Sequence, residues 1–167
     1  MQLTNRFNVA EIKRVLRLGK GAVIRAVNAT GDEVPFNPTA RTLSVTTTLK
    51  AADSGGTFYL NSGTEFVTTL PAPAIGLRFT FVVAAAPATA SYTVVTAASA
   101  NILKGHVLTS QDAGGTADSE TSGGDTLTFV DSKAVVGDKA VIESDGTSWF
   151  VAASSKVFDG ITVTTAT

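Results

Sequence analysis

The segment from Gly137 to Val151 constrains the fold more than any other part of this sequence. Two runs of β-prone residues are joined there by the dipeptide Asp145-Gly146. Asp-Gly between such runs is a strong signal for a two-residue type I′ turn, in which both central residues have positive φ. A loop of this length predicts an antiparallel hairpin in which Ile142 lies opposite Trp149 on one buried face. Burial of Trp149 is worth about 2–3 kcal/mol.

A second strand signal predicts where the core lies. From Gly76 to Val83 the residues alternate, so that Leu77, Phe79 and Phe81 share one side. We therefore predict a structural core that contains four large side chains, namely Phe79, Phe81, Ile142 and Trp149.

Further strands are predicted at short intervals along the chain. They cover residues 42–49, 57–61, 65–70, 91–96, 101–108, 125–130, 139–144, 147–153 and 161–165. Short strands in series are typical of a sandwich or barrel, so the predicted fold class is all-β, an antiparallel β-sandwich or jelly-roll-like barrel. Residues 111–125 contain no apolar side chain larger than Ala, and we predict a solvated loop there.

The composition agrees with this fold class and excludes some chemistry. At 167 residues the chain is long enough to bury a core without disulfides. It contains no cysteine, which excludes thiol nucleophiles and Cys-ligated zinc. Charged residues make up only 16%, against about 25% in an average globular protein. Since no run of 18 apolar residues and no signal-peptide pattern occurs, we predict neither membrane insertion nor secretion.

Charge divides the chain into a basic head and an acidic remainder. Residues 1–25 carry a net charge of +5, and the other residues carry −6. Asn8 and Glu11 match a capping box and Gly19 can end a helix, so one short helix is predicted near the N-terminus. We predict a basic arm and linker over residues 1–40, with residues 30–38 as a linker or extended crossing, and a β-sandwich body over residues 41–167. The arm residues predicted to bind a partner are Arg6, Phe7, Ile12, Lys13, Arg14, Leu16, Arg17, Lys20 and Arg25.

Residues that could support chemistry are few and scattered. His106 is the single histidine, and the sequence places no nucleophile or orienting carboxylate beside it. Four carboxylates fall in or beside the polar stretch, but without EF-hand spacing: Asp112, Asp118, Glu120 and Asp125. A pair of carboxylates for glycoside hydrolysis stays open, because such a pair comes together only in the fold. We predict no catalytic residues, no cofactor and no metal ligand, and hence a protein that is not an enzyme.

Several sequence segments resemble virion proteins of tailed bacteriophages. They are Ala51 to Asn61, Thr68 to Pro73, Gly76 to Val83, Gly137-Asp138 and Asp145 to Trp149. The resemblance implies a capsid decoration (cement) protein: a β-sandwich, often a homotrimer, that binds the major capsid protein on the capsid exterior and braces the shell. It would be made in the host cytoplasm. The basic head could also meet nucleic acid or a membrane surface, but it lacks interleaved aromatic residues apart from Phe7 and its apolar stripe is short and without Trp, so we predict a protein partner and neither nucleic acid nor membrane.

The same sequence segments also resemble modules of phage tails and fibres. The alternative function is therefore a tail-associated or fibre-associated virion module that binds a host surface glycan or another tail protein. Glycan sites commonly expose aromatic side chains, whereas Trp149 is predicted to face inward.

Overall fold

A computed structural model describes residues 26–27, 33–34, 40–109 and 118–166. The chain divides into two compact units, Met1–Phe36 and Asn37–Thr167. In the first unit, strand β1 (Ala26–Val27) pairs antiparallel with β2 (Glu33–Val34). Within the predicted linker or extended crossing over residues 30–38, Glu33 and Val34 form this short strand. The predicted N-terminal helix and the nine predicted arm residues lie outside the described residues.

The second unit is built from β-strands joined by short connections. Its strands are β3 (Ala40–Leu43), β4 (Thr47–Thr48), β5 (Thr57–Leu60), β6 (Phe66–Thr69), β7 (Ile75–Val83), β8 (Tyr92–Val95), β9 (Leu103–Thr109), β10 (Asp118–Gly124), β11 (Thr126–Phe129), β12 (Lys139–Asp145), β13 (Trp149–Ser155) and β14 (Ile161–Thr164). Two single 3₁₀ turns occur at Ala51–Asp53 and Ala97–Ser99. In the described part of the chain, no helix has the length and apolar character needed to cross a bilayer.

The strands form two sheets with one core. The larger sheet has seven strands in the order β10-β9-β13-β12-β7-β5-β3, and the smaller has five in the order β14-β11-β8-β6-β4. Alternate residues of the strands are buried, and side chains from both sheets join one hydrophobic cluster. The all-β, sandwich-like prediction is confirmed.

The pairing within the sheets differs from the antiparallel pattern that was predicted. From β3 to β8 the chain alternates between the two sheets, so each return to a sheet adds a strand that runs in the same direction. Strands β3, β5 and β7 are parallel neighbours in one sheet, and β4, β6 and β8 are parallel neighbours in the other. The single strand predicted over residues 42–49 is consequently two strands, β3 and β4, in different sheets.

Aromatic side chains pack against one another within the core, both between neighbouring strands and across an intervening strand. Phe58 pairs in register with Phe81, and their ring centroids are 5.5 Å apart. Phe79 lies 5.8 Å from Trp149 by the same measure. Phe79, Phe81, Ile142 and Trp149, the four side chains predicted for the core, are completely buried.

The hairpin between β12 and β13 forms, but its register was predicted wrongly by two residues. Ser144 pairs with Trp149, and Ile142 pairs with Val151. Because a shift of two residues keeps each side chain on its own face, Ile142 and Trp149 still share the buried side.

The cause of the shift is the turn. Gly146 has a φ of +97°, but Asp145 does not have positive φ, so the turn is not of type I′. Instead, one carboxylate oxygen of Asp145 accepts hydrogen bonds from the amides of Thr147 (2.8 Å) and Ser148 (2.7 Å). These bonds close a longer loop than the one that was predicted.

The polar stretch at residues 111–125 was also predicted wrongly as a loop throughout. Its second part is strand β10, which pairs antiparallel with β9. Strand β10 contains no large apolar residue. It forms because the backbone of β9, at the edge of the sheet, offers it hydrogen-bond partners. Asp125, at the end of this stretch, is buried and only 7% exposed.

Candidate binding face

The outer face of the seven-stranded sheet presents a row of four exposed side chains. Strand register places Arg78 beside Glu143, Glu143 beside Phe150, and Phe150 beside Lys104. Neighbouring strands in a sheet are about 4.8 Å apart, so the row forms a continuous strip across β7, β12, β13 and β9. Phe150 is 45% exposed although it is a large apolar side chain.

A depression lies next to this row. Its volume is about 450 Å³, and its lining includes Arg78, Glu143 and Phe150 from the row. The second row of residues along the same strands, Val141, Ala152 and His106, completes the side walls. His106, the single histidine of the sequence, therefore lies at this depression, exposed on β9.

Gly105 lies in the lining of the depression, in close contact with the neighbouring strand. Gly105 pairs with Val151 at a φ of +132°, in a region that favours glycine. A Cβ at this position would collide with the backbone carbonyl of Val151. On the exposed side of the sheet, the small side chain of Ala152 leaves space beside the larger side chains of His106 and Phe150.

Two of the three charged side chains in the row form an ion pair. The Arg78 Nε lies 2.8 Å from Glu143 Oε1, and both side chains are more than half exposed. An ion pair this exposed contributes at most about 1 kcal/mol to stability, so the fold does not require it. At the end of the row, Lys104 Nζ donates a hydrogen bond to the Ser148 hydroxyl over 3.0 Å.

Other carboxylates singled out by the sequence take no part in this face. Asp112 lies outside the described residues, and Asp125 is buried between β10 and β11. Asp118 and Glu120 belong to β10. Among the described residues, no group of three or more His, Asp or Glu side chains is placed to hold a metal ion.

Sequence reasoning missed Phe150, Arg78 and Glu143 as members of one surface. The signal for Phe150 was present, because in a strand the neighbour of an inward Trp149 must point outward. Arg78 could not be joined to it, since that step requires knowing that β7 and β12 are neighbours.

No protein-family model matches this chain, and searches of curated proteins and of solved structures gave no significant match.

Proposed function

We propose that this chain is a capsid decoration protein of a tailed bacteriophage, which binds the outer surface of the major capsid protein shell and stabilises it. The observation that carries the proposal is the position, within the fold, of the sequence segments that resemble virion proteins. Ala51 to Asn61 includes β5, Thr68 to Pro73 includes the end of β6, and Gly76 to Val83 is most of β7. These residues build the parallel-paired part of the sandwich, so the resemblance lies in residues that determine the fold.

Attachment in this proposal depends on the basic arm. Residues 1–25 carry +5 against −6 on the remainder, and charge of opposite sign attracts an arm to an acidic neighbouring surface. In a homotrimer three arms act as linked contacts. Linkage raises avidity without requiring a large interface for each arm.

A co-sedimentation assay with undecorated capsids of the phage that encodes the chain tests the arm. Deletion of residues 1–21 should abolish binding, and so should the combined changes Arg14→Glu, Arg17→Glu and Arg25→Glu. The matched control reverses three exposed lysines of the body, by Lys50→Glu, Lys139→Glu and Lys156→Glu. Both triple variants change the net charge equally. A difference in capsid binding between them therefore requires a contact that is specific to the arm.

Ionic strength supplies a second readout for the same proposal. The screening length shrinks from about 10 Å at 0.1 M salt to about 3 Å at 1 M, so binding should weaken over this range. If the truncated protein binds capsids as well as the full chain does, the arm mechanism is wrong. Cryo-electron microscopy of virions that shows the protein on the tail would replace this function with the alternative, a tail or fibre module.

A further inference from the structure

We propose that the depression beside Phe150, on the outer face of the seven-stranded sheet, binds a neutral oligosaccharide. The contacting groups are the Phe150 ring and the Arg78–Glu143 pair. This site is in the body of the protein and does not depend on the arm or on the location of the protein in a virion.

The aromatic ring provides the apolar contact. Phe150 leaves almost half of its surface in water, while its neighbour Trp149 is fully buried. A pyranose ring has one face of C–H groups, and such a face packs against the electron-rich face of an aromatic ring. The exposed Phe150 ring, next to a hollow, therefore fits a sugar ring.

The polar groups beside the ring fit hydroxyls. A sugar hydroxyl both donates and accepts hydrogen bonds; the guanidinium of Arg78 only donates, and the ionised carboxylate of Glu143 only accepts. Together they can bind two neighbouring hydroxyls. Since the two opposite charges lie 2.8 Å apart, they largely offset each other for a bound ligand, and Lys104, the other cation of the row, does not line the depression. The local charge balance favours a ligand without charge.

The shape favours a small ligand over a protein. Small-molecule sites are typically about 300–1,000 Å³, and the depression of about 450 Å³ lies in this range. A protein interface needs a continuous apolar centre. Among the described residues of this sheet, the exposed apolar side chains Tyr59 and Leu108 lie in a separate row, in which Lys139 stands between them, and Ile75 lies at the end of β7 beside Asp145.

The test is an NMR titration of the full ¹⁵N-labelled chain with two probes, cellotriose and the trisaccharide of N-acetylglucosamine, preceded by a printed array of neutral glycans. We expect saturable binding of at least one glycan, with amide shifts concentrated at Gly105, His106 and Phe150. Phe150→Ala should weaken that binding by about tenfold or more, because the stacking contact is lost. Ala152→Leu, which fills the depression from an exposed position, should weaken it similarly.

The matched control is Tyr59→Ala, which removes another exposed aromatic ring from the same sheet, 40% exposed against 45% for Phe150. It should leave the affinity within about twofold, since Tyr59 does not line the depression. Absence of binding to every neutral glycan on the array would overturn the proposal, as would equal losses in the Tyr59→Ala and Phe150→Ala variants. Sedimentation velocity gives a further check, because a change of oligomeric state on Phe150→Ala would identify this face as a contact between copies and also overturn it. Capsid binding is scored separately with the arm variants, so failure of either proposal is recognisable without the other.

Discussion

Gly105 lies directly opposite Val151 in the parallel pair of β9 and β13, with a φ of +132°. The two backbones approach so closely that no side chain fits between them at this point. Glycine at position 105 thus permits the close pairing of β9 with β13 beneath the outer face that carries Phe150.

Replacement of Gly105 by Ala should destabilise the body strongly. The new Cβ would collide with Val151, and an L-residue does not readily adopt this φ, so we expect a loss of about 2–5 kcal/mol in the free energy of unfolding. Chemical denaturation measures it. Gly63→Ala is the control, because a Cβ at Gly63 meets nothing within 4 Å and its φ is ordinary. A Gly105→Ala variant as stable as Gly63→Ala would show that the strands can separate at this point without cost.

The sequence predicted the strands well and their arrangement poorly, for a physical reason. Alternation within a run such as 76–83 follows from the local geometry of a strand, so the buried positions of Phe79 and Phe81 were accessible. Which strands pair is decided by contacts between distant residues. The parallel pairing of β5 with β7 arises because the intervening β6 crosses to the other sheet, and no local pattern records that crossing.

The candidate site shows the same division. Phe150 could be assigned to the outer face from hairpin alternation alone. Its neighbours in the row come from β7 and β9, which are far away in sequence, and their approach depends on the complete strand order. Local sequence patterns therefore identify single residues on the surface. Which residues come together in one site can be known only from the strand order of the whole sheet.

The hydroxyl of Tyr92 should contribute measurably to stability. Tyr92 is 1% exposed, and its hydroxyl donates to the Ser62 carbonyl (2.6 Å) and accepts from the Ser62 amide (3.1 Å). Tyr92→Phe keeps the stacking on Phe66 but leaves these backbone groups without their partner. We expect a loss of about 1–3 kcal/mol, measured by urea denaturation. Tyr59→Phe, at an exposed position, should change stability by less than about 0.5 kcal/mol.

Equal stability of the Tyr92→Phe and Tyr59→Phe variants would contradict this assignment. It would mean that water replaces the hydroxyl at Ser62 without cost. The connection between β5 and β6 would then depend on its other hydrogen bonds, such as the one from the Thr64 amide to the Ser62 hydroxyl.

Asp138 is the carboxylate whose loss should affect the fold most. It is 3% exposed; one oxygen accepts from the Val135 amide (3.0 Å) and the Ser155 hydroxyl (2.7 Å), and the other from the Lys156 amide (2.9 Å). Asp138→Asn places an amide donor against one of these donors, so we expect a loss of about 2–3 kcal/mol.

The control for Asp138 is Asp159→Asn. Asp159 forms a half-exposed pair with Lys133 at 3.7 Å, and such pairs contribute about 0–1 kcal/mol. Thermal unfolding of the two variants should separate them clearly. Similar melting temperatures would show that the donors around Asp138 find other hydrogen-bond acceptors after the substitution.

The turn carboxylate of Asp145 should make stability depend on pH in acid. The pKa of Asp145 lies below its ordinary value, chiefly because the Ser148 amide donates to the carboxylate, and then because the amide and hydroxyl of Thr147 do so as well. A lowered pKa in the folded state means that the carboxylate stabilises the fold above the pKa of the unfolded chain. That stabilisation is lost as the pH falls through the folded-state pKa.

Asp145→Asn retains an acceptor oxygen but removes the charge, so the wild-type protein should melt at a higher temperature than the variant at neutral pH, and the gap should close from about pH 5 downward. Melting curves recorded by circular dichroism across this range measure the gap, and a gap that stays constant in acid would show that the charge of Asp145 does not stabilise the turn.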